Sequence, residues 1–276
     1  MLKTRIITAL VLLAVLLPVL YSNNYTAFAV VATVFFGAAI WECFRLFNPQ
    51  STKAPIVAAF WTAAFVWAFF GPAHPNPVFW YAISLLLWAL RFAPSLKVGL
   101  PALDSTANTL LSVVYAVSLV GCFAAIVALY AYSPLYLLSV LAIVWAADIF
   151  AYFSGKAFGK RKLAPSISPG KSWEGAIGGG IAVLVIATLV IVFDGDSLAN
   201  TFPVRVQASL GWAATWAILV LVVAASVVGD LFESQLKRRA GMKDSSNLLP
   251  GHGGVLDRID ALVPVLPLAT LIAYRL

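Results

Sequence analysis

Nine runs of mostly apolar residues, bounded by proline, glycine or charge, fill most of this 276-residue chain. They lie at roughly 6–21, 26–44, 55–71, 77–91, 107–131, 134–156, 175–193, 207–230 and 259–276. A helix needs about 20 such residues to cross a bilayer. The runs therefore predict an all-α, polytopic integral membrane bundle of about nine transmembrane helices. The third and fourth are short and proline-bounded, so a helical hairpin that does not fully cross also fits there. The first run, led by Lys3 and Arg5, has the charge and apolar pattern of a signal peptide. It lacks a small-residue cleavage site before the next run, so it is read as an uncleaved first helix. Composition agrees: 62% of residues are hydrophobic and 11% charged, against about 25% charged in an ordinary soluble domain. A soluble globular enzyme, a disordered chain and a disulfide scaffold are excluded. Cys43 and Cys122 sit in apolar runs and read as small apolar side chains.

The charges orient the spans. There are 18 Lys+Arg and 11 Asp+Glu, a net charge of +7. With nine spans and a cytosolic N-terminus, 16 basic residues fall in inner segments and two, Arg205 and Arg275, in outer ones. This follows the positive-inside rule. Nine acids are inner, while Asp194 and Asp196 balance the outer bases, so the whole surplus faces the cytosol. Repeats are absent and no polar segment is long enough for a soluble domain. Residues 1–276 read as a single membrane domain. Its first part (1–130) is mainly scaffold, and the rest (131–276) carries the polar chemistry and the active site.

An ionisable residue in a span costs about 2.5–3.5 kcal/mol to insert and is a functional candidate by default. Asp148 lies in VWAADIFAYFSG with no base within a helical turn. Asp230 is followed by Glu233, Ser234 and Lys237, which share one helix face with it. Asp257 and Asp260 flank Arg258 at the mouth of the last run. Glu42, Asp104, Asp194 and Asp196 read as structural acids that pair with a neighbour or cap a helix. Asp148, Asp230 and Asp257 read as functional, because carboxylates near one membrane face can hold a divalent cation such as Mg²⁺.

Two inner loops, Gly155–Gly175 and Ser234–Asp260, mix Lys/Arg, hydroxyls, glycine and a few acids. Cations and glycine suit phosphate, and the interspersed acids call for a metal between them and it. Attraction to anionic head groups, about 1 kcal/mol per base, accounts for Lys160, Arg161 and Lys162. It does not account for Lys171-Ser-Trp-Glu174-Gly or His252-Gly-Gly-x-x-Asp257-Arg258-x-Asp260. Gly170-Lys171-Ser172 is no P-loop, since Pro165 stands where that pattern needs glycine and no strand is expected before it. Gly175 and Gly179 form a GxxxG best read as helix packing. A lone His252 makes no zinc site, His74 is assigned no role, and stacked aromatics for nucleic acid are absent.

Ser234-x-Leu236-Lys237-Arg238, Lys243-Asp244-x-Ser246 and Leu249-Pro250-x-His252-Gly253-Gly254-Val255-x-Asp257-Arg258-Ile259-Asp260 together resemble the signature of phosphatidate cytidylyltransferases. The first loop is similar more loosely, through Asp148, Ala151-Tyr152, Gly155, Gly159-Lys160 and Ser168-Pro169-x-Lys171-Ser172-x-Glu174-Gly175. There Gly170 stands where a second lysine is common and Ser172 where threonine is common. The resemblance implies Mg²⁺-dependent conversion of CTP and phosphatidic acid to CDP-diacylglycerol and pyrophosphate. It implies an often dimeric, multi-pass enzyme of phospholipid biosynthesis in a bacterial inner membrane, with its site facing the cytosol. Asp230 and Asp257 would hold the metal, alone or with a second cation, and Asp148, Asp244 and Asp260 are further candidates. Lys171, Lys237, Arg238, Lys243 and Arg258 would clamp phosphates. Ser168, Ser234 and His252 would orient them, Glu174 would meet a basic partner or the nucleotide, and Gly253 and Gly254 would let backbone approach phosphate. The rival readings are a CTP-dependent polyprenol kinase, a phospho-sugar transferase and, from another class, a secondary transporter.

Overall fold

The computed structural model describes residues 2–22, 24–73, 75–193, 195 and 197–276, with backbone alone for 2–6 and Ala9. His74, Asp194 and Asp196 lie outside the described residues, as do the side chains of Lys3 and Arg5. The chain is almost wholly helical: α1 (Leu2–Tyr21), α2 (Tyr25–Phe47), α3 (Ala54–Phe69), α4 (Pro77–Leu87), α5 (Ala93–Val98), α6 (Thr106–Tyr132), α7 (Pro134–Phe158), α8 (Trp173–Val192), α9 (Phe202–Arg239), α10 (Leu256–Ile259) and α11 (Leu262–Ala273). Sequence-local signals start these helices. Asn24, Ser105, Ser133 and Ser172 accept a backbone N–H from the first turns of α2, α6, α7 and α8. Proline opens α4 and α7, where its missing N–H costs nothing.

Among the described residues, six helices are long and apolar enough to cross a membrane, and three shorter apolar ones cover Leu10–Tyr21, Ala54–Phe69 and Leu262–Ala273. The fourth run is longer than its sequence suggested. A five-residue π-turn (Trp88–Phe92) joins α4 to α5, giving one 22-residue helix from Pro77 to Val98. The last is shorter, because α10 and a break consume its start. Helix α9 has 38 residues and bends at Gly211, whose φ of 78° interrupts it. One departure from all-helix structure falls in the first loop. There β1 (Lys162–Ala164) and β2 (Ser168–Ser172) pair antiparallel, Lys162 opposite Ser172 and Ala164 opposite Ser168. A strand does therefore precede Gly170-Lys171-Ser172, contrary to expectation, although Pro165 still breaks the P-loop pattern.

Helix α6 is apolar on every side and is the most enclosed of the long helices, as a helix without a polar face should be. Tyr115 on it packs edge-on or tilted against Trp88, Phe92 and Phe232. Cys43 and Cys122 are buried free thiols. Helices α7 and α8 meet through glycine. A Cβ on Gly175 would lie 2.8 Å from the Ala151 carbonyl, and one on Gly179 would lie 2.5 Å from that of Ala147. This is the close packing expected of the GxxxG.

The segments rich in basic residues gather at one end of the bundle. Thr8 Oγ1 donates to the Pro250 carbonyl at 2.7 Å, Arg45 Nη1 to that of Ser245 at 3.3 Å and Arg239 Nη1 to that of Pro101 at 2.9 Å. Gln235 Nε2 donates to the Ser95 carbonyl, and Arg238 Nε to that of Ile167. At the other end Tyr130 meets Val19, and Ser139 accepts from the Phe202 N–H.

Candidate active site

Two ion-paired clusters form where both polar loops meet the end of α9. In the first, Lys171, the last base of the hairpin before α8, pairs with Asp230 Oδ2. Ser234, one turn further along α9, donates to Asp230 Oδ1 at 3.3 Å. Both charged side chains keep over a quarter of their surface exposed, 29% and 26%, so they are open to a ligand. Gly229 brings the backbone of Asp260 against α9, since a Cβ there would lie 2.4 Å from the Asp260 carbonyl. Asp230 consequently acts electrostatically on both Asp260 and Asp148. Lys171 and Arg258 act on Asp148 as well.

In the second cluster Lys237 is held between two carboxylates. It pairs with Glu233, one turn back on α9, and donates to Asp257 Oδ1 at 2.6 Å. The other oxygen, Asp257 Oδ2, takes three donors: Gly254 N at 2.7 Å, Ser245 N at 2.8 Å and Ser245 Oγ at 2.8 Å. Burial opposes ionisation of Asp257, yet Lys237 and these backbone N–H groups hold its carboxyl below the ordinary value of 3.8. Two glycines make this possible. Gly253 has a φ of 84°, and a Cβ on it would lie 2.6 Å from Asp257 Oδ2. A Cβ on Gly254 would lie 2.1 Å from Ser245 Oγ and 2.3 Å from Glu42 Oε1. Both glycines thus make room for carboxylates of the protein itself.

The remaining expected site residues are placed as follows. Arg238, Lys243, Asp244 and Arg258 are exposed at this end. Ser168 is half-buried in β2. His252 closes a tight turn, its N–H donating to the Leu249 carbonyl, and its Nδ1 is buried without a partner among the described residues. Glu174 meets the basic partner: it accepts from the N–H groups of Lys160 and Arg161 at 3.1 Å each and from Arg161 Nε at 3.1 Å. Lys160, Arg161 and Lys162 otherwise face outward.

Two residues of the site, Glu233 and Ser245, had no role from sequence, and a third, Glu42, was read only as a structural acid. Glu233 shows helical spacing to Lys237, which was signal enough to pair them. Ser245 stands beside the motif serine Ser246. Nothing local marks Glu42, which is fully buried.

This is a multi-helix membrane protein whose polar chemistry, cations interleaved with carboxylates, is assembled at one end. A cytidylyltransferase family model matches residues 3–275. The chain is 39% identical to a phosphatidate cytidylyltransferase of Haemophilus influenzae, over 97% of its own length and 96% of that protein's. Over 131 residues it is 53% identical to one of Pseudomonas aeruginosa, covering 48% of this chain and 44% of that one. Over 135 residues it is 43% identical to one of Thermotoga maritima, covering 49% and 47%. The chain belongs to the cytidylyltransferase family and is a nucleotidyltransferase.

Proposed function

We propose that this protein is a phosphatidate cytidylyltransferase, making CDP-diacylglycerol and pyrophosphate from CTP and phosphatidic acid. One observation carries the reading. The signature from Ser234 to Asp260 folds around Asp257 and, through α9, stands beside Asp230 and Lys171. Full-length similarity to a relative of that name supports it. An oxygen of the lipid phosphate attacks the α-phosphorus of CTP. The new P–O bond forms as the bond to the β-phosphate oxygen breaks, and pyrophosphate leaves with that electron pair. A phosphate nucleophile is already ionised near pH 7, so positioning and charge stabilisation carry the reaction.

Lys171, Lys243, Arg238 and Arg258 clamp the phosphates. Lys237, held between Glu233 and Asp257, neutralises charge on these carboxylates. Ser168, Ser234 and His252 orient phosphate oxygens. Among the described residues no three acidic, histidine or cysteine side chains converge as a ready metal cage. Mg²⁺ takes one or two protein carboxylates and completes its shell with substrate phosphates and water. The carboxylates supply the hard oxygen donors it needs; in this structure those of Asp230 and Asp257 are paired with Lys171 and Lys237, and a metal would take the place of these cations. Asp230 and Asp257 would hold it, with Asp148, Asp244 and Asp260 as further ligands for it or a second cation. Bound there, the metal supplies charge neutralisation on the phosphates.

The accompanying topology is nine spans with a cytosolic N-terminus. It is supported by the meeting of the basic segments at one end and of Val19 with Tyr130 at the other. The protein is then a single domain and a homodimer of a bacterial inner membrane, its site on the cytosolic face. Membranes given CTP labelled in the cytosine ring and phosphatidic acid test the chemistry. Label in the lipid product supports cytidylyl transfer. Transfer of the γ-phosphate alone would mean a lipid kinase, and uptake into sealed vesicles without lipid conversion would mean a transporter.

A further inference from the structure

Glu42 sits near the end of α2, 203 residues before Ser245. A buried carboxylate is costly unless hydrogen-bonded, and every bond that Glu42 makes among the described residues goes to the second loop. Its Oε1 accepts from Ser246 Oγ at 2.5 Å and Val255 N at 3.0 Å. Its Oε2 accepts from Leu256 N at 2.6 Å and Ser245 Oγ at 3.1 Å. The nearby base, Arg45, donates to the Ser245 carbonyl instead. One side chain thus ties together two stretches of the loop that lead into Asp257, 245–246 and 255–256.

Ser245 links the two carboxylates. Its single hydroxyl proton is shared between Asp257 Oδ2, the nearer acceptor at 2.8 Å, and Glu42 Oε2 at 3.1 Å. Its N–H and that of Gly254 reach the same Asp257 oxygen. Oδ2 is therefore fixed, and Oδ1 is the oxygen turned toward Lys237. We propose that Glu42 is a positioning residue for cytidylyl transfer. Acting through Ser245, it holds Asp257 in the single orientation that presents Oδ1. This rests on the reading of Asp257 given above.

The test uses the full-length purified protein with CTP, phosphatidic acid and Mg²⁺. Ser245→Ala leaves Glu42 its three other donors. It should lower kcat about 10- to 100-fold, the usual cost of losing a supporting hydrogen bond behind a functional carboxylate. KM for either substrate should stay within about twofold, because the interaction acts on the reacting geometry and not on binding. Ser246→Ala removes the shortest bond to Glu42 but none to Asp257, and kcat should stay within about twofold. Glu42→Gln cannot accept both backbone N–H groups and should match or exceed the loss in Ser245→Ala. In the metal-free protein it should also speed amide exchange across 244–257. If Glu42→Gln fails to fold, the serine pair decides. Equal kcat losses in the two serine variants, or a folded Glu42→Gln with normal kcat, overturn the proposal. Asp257→Asn separates the two layers. Full activity there sinks the site reading and this inference with it. An inactive Asp257→Asn beside a fully active Ser245→Ala sinks the inference alone.

Discussion

The two polar loops look alike in composition but are held in opposite ways. The first is an exposed hairpin pinned by Glu174 to two backbone N–H groups and to Arg161, whose side chain is 74% exposed. Such surface pairs add little stability. A Cβ on Gly170, in its second strand, would touch nothing within 4 Å. The second loop is organised around buried carboxylates. Asp257 is 3% exposed, Glu42 is fully buried, and their glycines face protein oxygens. The difference teaches a division of labour. The first loop brings a cation, Lys171, to Asp230. The second builds a rigid anionic frame, and rigidity is what a site that works by positioning requires.

Substitutions can break or sharpen that contrast. The largest effect is expected at the carboxylates. Asp257→Asn or Asp230→Asn should abolish turnover in a protein that still folds and inserts, checked by assaying the monodisperse purified variants. Near-normal activity of either would remove the metal assignment. Next, Lys171→Ala should lose about 100-fold or more in kcat/KM, about 2.7 kcal/mol of transition-state binding, while Lys160→Ala should lose less than about threefold. Equal losses would mean that the whole basic cluster of the first loop is catalytic.

Glycine gives a middle-sized effect. Gly254→Ala forces a methyl between Ser245 and Glu42 and should cost about 1–3 kcal/mol in stability, measured by thermal unfolding in detergent. Gly170→Ala should be nearly silent, and matching shifts would erase the distinction between the loops. The smallest effect is one of pH. Asp257 titrates below its unfolded value of 3.8. Its stabilising contribution is then complete above that value and is lost only as pH falls through the lower folded value. Exchange protection of amides 245–257 attributable to it should not change between pH 7 and pH 5. A loss centred in that window would contradict the ionised, four-donor arrangement.

The bundle was legible because apolar length and helix caps are local signals. Ser133-Pro134 and Ser172 mark the starts of α7 and α8 without reference to anything distant. The hairpin at 162–172 was not, since Lys, Ser, Pro and Gly carry little strand preference and the pairing is set by the ends that α7 and α8 fix. The extension of α4 through a π-turn escaped for a similar reason. Arg91 and Pro94 look like a boundary, and only packing of Trp88 and Phe92 on Tyr115 and Phe232 carries the helix across them. At the site, the juxtaposition of Lys171 with Asp230 turned an expectation about two loops into one cluster. The purpose of Gly253 and Gly254 shifted, from room for substrate phosphate to room for Asp257 and Glu42. No sequence rule pairs an acid in the second helix with a loop more than 200 residues away, because an acid three residues before Arg45 looks locally like one that pairs with that base or caps a helix.

The most direct measurement is pyrophosphate release by the purified protein given CTP, phosphatidic acid and Mg²⁺, followed together with ring-labelled cytidine in the lipid. Cytidylyl transfer requires pyrophosphate and lipid-bound cytidine in equal amounts, both absent without phosphatidic acid and both lost in Asp257→Asn. Pyrophosphate without labelled lipid, labelled lipid without pyrophosphate, or equal yields from Asp257→Asn would contradict it.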